Sequence, residues 1–142
     1  MRLLALAVPA FFLLVALAGC ESENESKATT CQDVPSDVKS IEVHVGTHSD
    51  GKMYLTASPG LNADKGQKVR FRVVNDDKGT FHDVRLDYAG QTLEHEVDGG
   101  ATVCTFSHGS PYFTADTAGS YAMYCEVTGH KQLGMQGTFV VT

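Results

Sequence analysis

The stretch YAMYCEVTGHKQLGMQGTFVV, residues 121–141, places three sulfur or nitrogen donors in a short loop between two strand-like runs. Cys125, His130 and Met135 follow one another at equal spacing, as Cys-x4-His-x4-Met. Strand alternation puts Tyr121, Met123 and Cys125 on one face, which we expect to be the core face. The thiol would then enter the loop from inside the protein.

A thiolate, an imidazole and a thioether are the donors that soft metals prefer. With a second imidazole from elsewhere, they make the His2Cys set with a weak axial Met that is typical of blue-copper electron-transfer sites. The loop contains a single cysteine, Cys125, whereas binuclear copper centres use two bridging cysteines. The sequence therefore predicts one type 1 copper ion.

This pattern, followed by a final apolar strand, resembles the cupredoxin family, and the spacing is most similar to rusticyanin-like and sulfocyanin-like members with long ligand loops. The resemblance covers about residues 40–142. It implies an all-β, Greek-key β-sandwich in which the last strand pair presents the ligand loop at one end. It also implies a first histidine ligand on a turn opposite that loop.

A candidate for that histidine follows the strand-like run of residues 67–75, after a short polar turn. The resemblance makes His82 the fourth metal residue, and it marks Asn75 and Asp83 as neighbours that support the site. Asp83 departs from the family, whose best-known members carry Asn there. An ionised carboxylate near the copper would favour Cu(II) and lower the reduction potential, which Asp83→Asn would test.

Apolar runs recur at residues 41–45, 53–57, 69–74, 84–88, 101–106, 121–125 and 138–141, separated by Gly, Pro, Asn and Asp. Short strands at this spacing predict a β-sandwich or barrel. Residues 93–97 and the region near Pro111 are candidates for a short helix. We expect His44 on the solvated face of a strand, and His48, His95 and His108 in surface loops.

The N-terminus reads as an export signal. An apolar run after Arg2 is shorter than a membrane-spanning helix and ends in Leu-Ala-Gly-Cys20, which resembles the lipobox of prokaryotic lipoproteins. We predict a lipoprotein signal peptide at residues 1–19, a lipidated Cys20 with a flexible tether at residues 20–34, and one cupredoxin domain at residues 35–142. The expected location is the extracytoplasmic face of a prokaryotic membrane.

Two cysteines remain once Cys20 and Cys125 are assigned. In an oxidising compartment Cys31 and Cys104 are a candidate disulfide, and a buried free Cys104 with an exposed Cys31 is the alternative.

Loss of residues 1–19 removes Arg2 and leaves ten basic against seventeen acidic residues, a formal charge of −7, which argues against nucleic acid as a partner. The resemblance implies that electrons leave through the exposed ring edge of His130, with Val127, Leu133 and Gly134 as the docking rim. We expect a monomeric one-electron carrier whose partner is a redox protein such as a cytochrome, oxidase or reductase. Copper storage or delivery outside the cytoplasm is the alternative. An enzyme is not expected, because a second copper site and His-x-His pairs are missing from the sequence.

Overall fold

The computed structural model describes residues 31–142 and consists of strands, turns and loops. The strands in chain order are β1 (Val38–Thr47), β2 (Met53–Ser58), β3 (Asn62–Ala63), β4 (Gln67–Asn75), β5 (His82–Tyr88), β6 (Gln91–Val97), β7 (Thr102–Val103), β8 (Phe113–Ala115), β9 (Gly119–Cys125) and β10 (Gln136–Val141). The predicted all-β sandwich is confirmed. Within residues 31–142, no helix is long and apolar enough to cross a membrane.

The strands form two five-stranded sheets. One has the order β2-β1-β4-β7, with β8 also pairing with β4, and the other has the order β3-β10-β9-β5-β6. β1 and β4 pair in parallel, whereas β9 pairs antiparallel with both β5 and β10. The strand that ends at Cys125 therefore lies beside the strand that begins at His82.

The core lies between the sheets and follows from period-2 alternation. In β4, Val69, Phe71 and Val73 are fully buried, and the intervening residues are only half-buried. The rings of Phe71 and Phe139, one from each sheet, meet edge to face with centroids 5.4 Å apart. This packing fixes the two sheets against each other and so sets the separation of the elements that carry the site.

Two expectations about local structure are wrong. Neither helix candidate is helical: residues 93–97 belong to β6, and the region near Pro111 is a turn and bend that leads into β8. His95 is 1% exposed rather than in a surface loop, since Leu93, His95 and Val97 form the inward face of β6. The imidazole occupies one of the inward positions of the strand, where an apolar side chain is usual. The alternation of β6 is missed when His95 is counted as a polar surface residue.

The disulfide between Cys31 and Cys104 is present, with Cα atoms 4.9 Å apart. It joins the start of the described chain to the segment after β7, where Cys104 is buried. Cys125 is a free, buried cysteine. The predicted signal peptide, Cys20 and most of the predicted tether lie outside the described residues.

Candidate metal centre

Three predicted metal residues meet at one end of the sandwich. His82 Nδ1 and His130 Nδ1 are 3.1 Å apart, and Cys125 Sγ lies 3.4 Å from His130 Nδ1 and 3.9 Å from His82 Nδ1. His82 begins β5, Cys125 ends β9, and His130 lies in the loop from β9 to β10. The register of β5 against β9, with Val84 opposite Cys125, brings the first two donors together.

The spacing of the three donor atoms fits a transition metal. A point in their plane at equal distance from all three lies about 2.0 Å from each, whereas zinc, for comparison, binds imidazole nitrogen at about 2.0–2.1 Å and thiolate sulfur at about 2.3 Å. The donors need to move apart by only a few tenths of an ångström on the sulfur side. Among residues 31–142 this is the one group of three His, Cys, Asp or Glu side chains that could hold an ion.

Met135 is fully buried in the same core cluster as Cys125. Its backbone closes the loop at both sides, since Cys125 N donates to Met135 O and Met135 N donates to His130 O. Further bonds from His130 N to Val127 O and from Leu133 N to Gly129 O make the loop a compact series of turns. Met135 therefore belongs to the same folded unit as the other three predicted metal residues, and its role as the axial ligand stays a prediction.

The environment of Cys125 acts on its charge in two directions. Burial raises the pKa of the Cys125 thiol, while the backbone N–H groups of Asp83 and Val127 lower it by hydrogen bonding to the sulfur; burial outweighs them. Burial, followed by the neighbouring His82, lowers the pKa of His130. Without a metal the site therefore favours neutral groups, and a bound cation would supply the charge that makes the thiolate stable.

Sequence reasoning missed one residue that touches a predicted ligand. The outer nitrogen of His82, Nε2, lies 3.1 Å from Asp77 Oδ2. Thr47 donates to the same carboxylate through both its hydroxyl and its backbone N–H. The Asp76-Asp77 pair in the turn before His82 was visible in the sequence, but nothing there showed which of the two carboxylates faces inward.

Asn75 holds the turn that leads to His82. Its Nδ2 lies within hydrogen-bond distance of the carbonyl oxygens of Thr80, Val97 and Asp98, and its Oδ1 accepts from Asp77 N. The side chain is 2% exposed. Asn75 therefore links the end of β4, the turn and the end of β6, which is a supporting position next to the ligand.

The side chain of Asp83 is not a comparable partner. Asp83 Oδ1 is buried without a hydrogen-bond partner, and the pKa of this carboxyl is raised, first by burial and then by Glu94, Glu126 and Glu96. That direction opposes the ionised form that the sequence-based hypothesis requires. The effect of Asp83 on the reduction potential stays a prediction.

The residues predicted to form a docking rim lie on or beside the ligand loop. Leu133 is 48% exposed, Gly134 is exposed, and Val127 packs partly against the core. Phe81, which sequence reasoning did not select, is 44% exposed and precedes His82 directly. Lys131 turns towards the Tyr124 ring, with its Nζ 3.8 Å from the ring centroid. Leu133 and Phe81 are the large hydrophobic side chains that residues 31–142 expose.

No protein-family model and no curated protein sequence matches the chain. Solved structures do match. One is auracyanin A, a "blue" copper protein from Chloroflexus aurantiacus, at 20% identity over 73% of this chain and 100% of that chain, with a TM-score of 0.50. Another is the reduced auracyanin from Roseiflexus castenholzii, at 14% identity over 77% of this chain and 99% of that chain, with a TM-score of 0.51.

A multi-copper oxidase from Pediococcus acidilactici also matches, at 11% identity and a TM-score of 0.56, but the 81% of this chain that aligns spans only 28% of the oxidase. At these identities the likeness concerns the fold. The chain has the cupredoxin fold, as the resemblance implied. The His82, Cys125 and His130 group that this fold presents is consistent with a type 1 copper site.

Proposed function

We propose that this protein is a one-electron carrier with a single type 1 copper ion. The observation that carries the proposal is the convergence of the Nδ1 atoms of His82 and His130 and the Cys125 sulfur within 3.9 Å of one another. Copper would supply the Cu(I)/Cu(II) couple, held by these three atoms and by Met135 as the weak axial donor. The cupredoxin fold supports this assignment.

The protein's part is to hold the donors still. His82, Cys125 and Met135 are each at most 1% exposed, and the strand register and the hydrogen bonds of the loop fix their backbones. A donor set that cannot rearrange keeps a similar geometry in both oxidation states. Little reorganisation then accompanies the gain or loss of an electron.

The burial of the donors favours a carrier over an enzyme and over a copper store. Four residues would fill the coordination of the ion, so no position is left for a substrate, in contrast to catalytic metal sites, which keep one open. Storage or delivery requires ligands that release the ion readily. Here three of the four proposed ligands lie beneath the surface.

Electrons would enter and leave through His130, which is only half-buried. Phe81, directly before His82, and Leu133, three residues after His130, expose apolar surface, and Val127 and Gly134 complete the rim. A small apolar patch suits a redox protein that docks briefly, because electron-transfer encounters bury little area. A cytochrome, oxidase or reductase is the kind of partner that we propose.

We also propose that the domain works at the extracytoplasmic face of a prokaryotic membrane, as a monomer anchored by lipid on Cys20. The support is the Leu-Ala-Gly-Cys20 motif after a short apolar run, together with the Cys31–Cys104 disulfide, which suits an oxidising compartment. Labelling with a radioactive fatty acid tests the anchor. Label in the wild type that is lost in Cys20→Ser supports it, and a soluble, unlabelled wild type contradicts it.

The metal assignment is tested by visible absorption. The chain from Cys20 onwards, carrying Cys20→Ser to keep it soluble, is titrated with Cu(II) beside the same chain with Cys125→Ala. We expect an intense thiolate-to-copper band that saturates at one copper per chain, bleaches with a reductant and is missing from Cys125→Ala. A correctly folded protein without this band would show that Cys125 is not a Cu(II) ligand.

A further inference from the structure

His82 is completely buried, and both of its ring nitrogens have polar neighbours. Nδ1 faces the metal centre, 3.1 Å from His130 Nδ1 and 3.9 Å from Cys125 Sγ. Nε2 points the other way and lies 3.1 Å from Asp77 Oδ2, at a side chain that is 18% exposed. A carboxylate cannot donate when ionised, so a hydrogen bond here requires a proton on Nε2.

The position of Asp77 is fixed by further hydrogen bonds. Thr47 Oγ1 donates to Asp77 Oδ2 at 2.7 Å, Thr47 N donates to Oδ1 at 3.0 Å, and Asp77 N donates to Asn75 Oδ1 at 3.0 Å. The carboxylate is thus held by the end of β1, and the backbone of Asp77 is held by a buried amide at the end of β4. Its orientation is set by the fold and not by the histidine alone.

Neighbouring Asp76 carries the same charge but points elsewhere. Its carboxylate lies 3.0 Å from His44 Nδ1 and accepts from Tyr54 Oη at 2.9 Å. Both of those groups are half-buried on the outer side of β1 and β2. Of these two adjacent aspartates, Asp77 therefore contacts the buried His82, and Asp76 contacts half-buried side chains on the outer face of the sheet.

We propose that Asp77 is a positioning residue for the metal centre, which fixes His82 as the tautomer with Nε2 protonated and Nδ1 free to bind, and whose charge lowers the reduction potential. The proposal rests on the proposed copper function. A carboxylate on the outer nitrogen of a metal-binding histidine fixes its tautomer and orientation and makes it a stronger donor. A negative charge one ring away from the ion also favours the more positive Cu(II) form.

The tautomer can be measured without copper. Long-range proton–nitrogen NMR correlations of the copper-free chain from Cys20, with Cys20→Ser, report which ring nitrogen of His82 carries the proton. We expect Nε2–H on His82, and Nδ1–H on His130 donating across the 3.1 Å contact. His82 found with its proton on Nδ1 would overturn the proposal, whether or not copper binds.

The charge effect is measured by the midpoint potential of the copper-loaded protein. Asp77→Asn keeps the size and one acceptor oxygen but removes the charge, and we expect it to weaken Cu(II) relative to Cu(I) by roughly tenfold, a rise of about 59 mV for a one-electron couple. Asp76→Asn is the matched control. It removes the same charge from the neighbouring residue, whose carboxylate does not touch His82. We expect Asp76→Asn to shift the potential by less than a third as much.

The Thr47→Ala variant distinguishes a purely structural role of Asp77 from an effect of its charge on the reduction potential. This change removes the hydroxyl that orients the carboxylate but leaves the charge and the contact with His82. We expect Thr47→Ala to lower the free energy of unfolding while leaving the potential near that of the wild type. Equal potentials for Asp77→Asn and the wild type, or equal shifts in Asp77→Asn and Asp76→Asn or Thr47→Ala, would contradict the proposal. Absence of the blue band in the wild type would refute the copper function and leave the NMR result to stand alone.

Discussion

The two histidines of the metal centre offer the same ring atom, Nδ1, but the protein holds them differently. His82 is fully buried at the start of a central strand, and its outer nitrogen contacts a carboxylate that Thr47 at the end of β1 holds through two hydrogen bonds. His130 is half-buried in a loop whose order comes from short-range backbone hydrogen bonds. The inner side of the centre is therefore built by the sandwich, whereas the outer side is built by the loop itself.

This difference separates two tasks within one site. In the proposed carrier, the buried ligand with its fixed partner would set geometry and potential. The half-buried ligand on a self-contained loop would provide the route to a redox partner, because its ring is partly exposed.

Removal of either imidazole should abolish the blue band, and added imidazole should distinguish the two sides. In His130→Gly the gap opens at the surface, so we expect imidazole to restore the band rapidly. In His82→Gly the gap is enclosed, so imidazole must wait for local opening of the fold and recovery should be far slower. Stopped-flow absorbance after mixing with imidazole measures both rates, and equal rates would remove the distinction between inner and outer ligands.

We expect Asn75→Asp to destabilise only the inner side of the centre, where His82 lies. The new carboxylate would face the carbonyl oxygens of Thr80, Val97 and Asp98 without a proton to donate, and we expect a loss of about 3–5 kcal/mol in the free energy of unfolding. Urea denaturation measures this loss. Asn62→Asp, at an exposed amide whose oxygen accepts from Lys39, is the control and should change stability by about 0.5 kcal/mol or less. A small loss at Asn75 would show that the inner side is not rigidly supported.

We expect Gly134→Ala to destabilise the outer side of the centre, which is the loop that carries His130. A Cβ there would lie 2.6 Å from the carbonyl oxygen of Met53, and the residue has a φ of +115°, so contact and backbone strain add to about 2–4 kcal/mol. The loop that carries His130 must then shift, and we expect faster loss of copper to a chelator. Gly79→Ala, where a Cβ meets nothing within 4 Å, is the matched control and should leave both the stability and the copper release rate unchanged.

Besides His82, His95 is the second buried imidazole of residues 31–142, and it lacks the hydrogen-bond partner that His82 has at Nε2. Burial lowers the pKa of His95 to about 3, so between that value and the unfolded value near 6.5 only the unfolded chain binds the proton. Stability from this residue is therefore complete above about pH 6.5 and is lost as the pH falls below it. Between pH 7 and pH 4.5 the loss should be about 2–3 kcal/mol.

The test compares the copper-free wild type with His95→Leu by urea denaturation at several pH values. We expect the variant to lose less stability on acidification, while His48→Gln, at an exposed position, follows the wild type. The same pH dependence in wild type and His95→Leu would show that this ring takes up its proton in the folded state as readily as in the unfolded one.

The parts of the fold that could be predicted are those in which the chemistry is local. Alternation in residues 69–74 and 84–88 marks half-buried strands, and both lie in strands of the structure. Alternation in β6 was equally regular, but it depends on counting His95 as an inward residue. A histidine is apolar enough for a core only where its neighbours, here Phe71 and Phe106, surround it, and the sequence does not say which side chains those will be.

The donor set itself shows the same division. Spacing alone places Cys125, His130 and Met135 close together, because the ten residues between two paired antiparallel strands must form a short connecting loop. His82 is 43 residues away from Cys125, and only the resemblance to a known family selected it before the register of β5 and β9 brought the two within 3.9 Å.

By itself, the sequence determined the class of fold and the donor types of the candidate site, since each depends on residue types at fixed spacing along the chain, and it predicted an export signal. The tertiary structure decided which aspartate faces His82, that Cys31 pairs with Cys104, and that His95 is buried. These three facts depend on side chains from elements far apart in the chain. Their positions follow from how the two sheets pack, and packing is a property of the whole core rather than of any one segment.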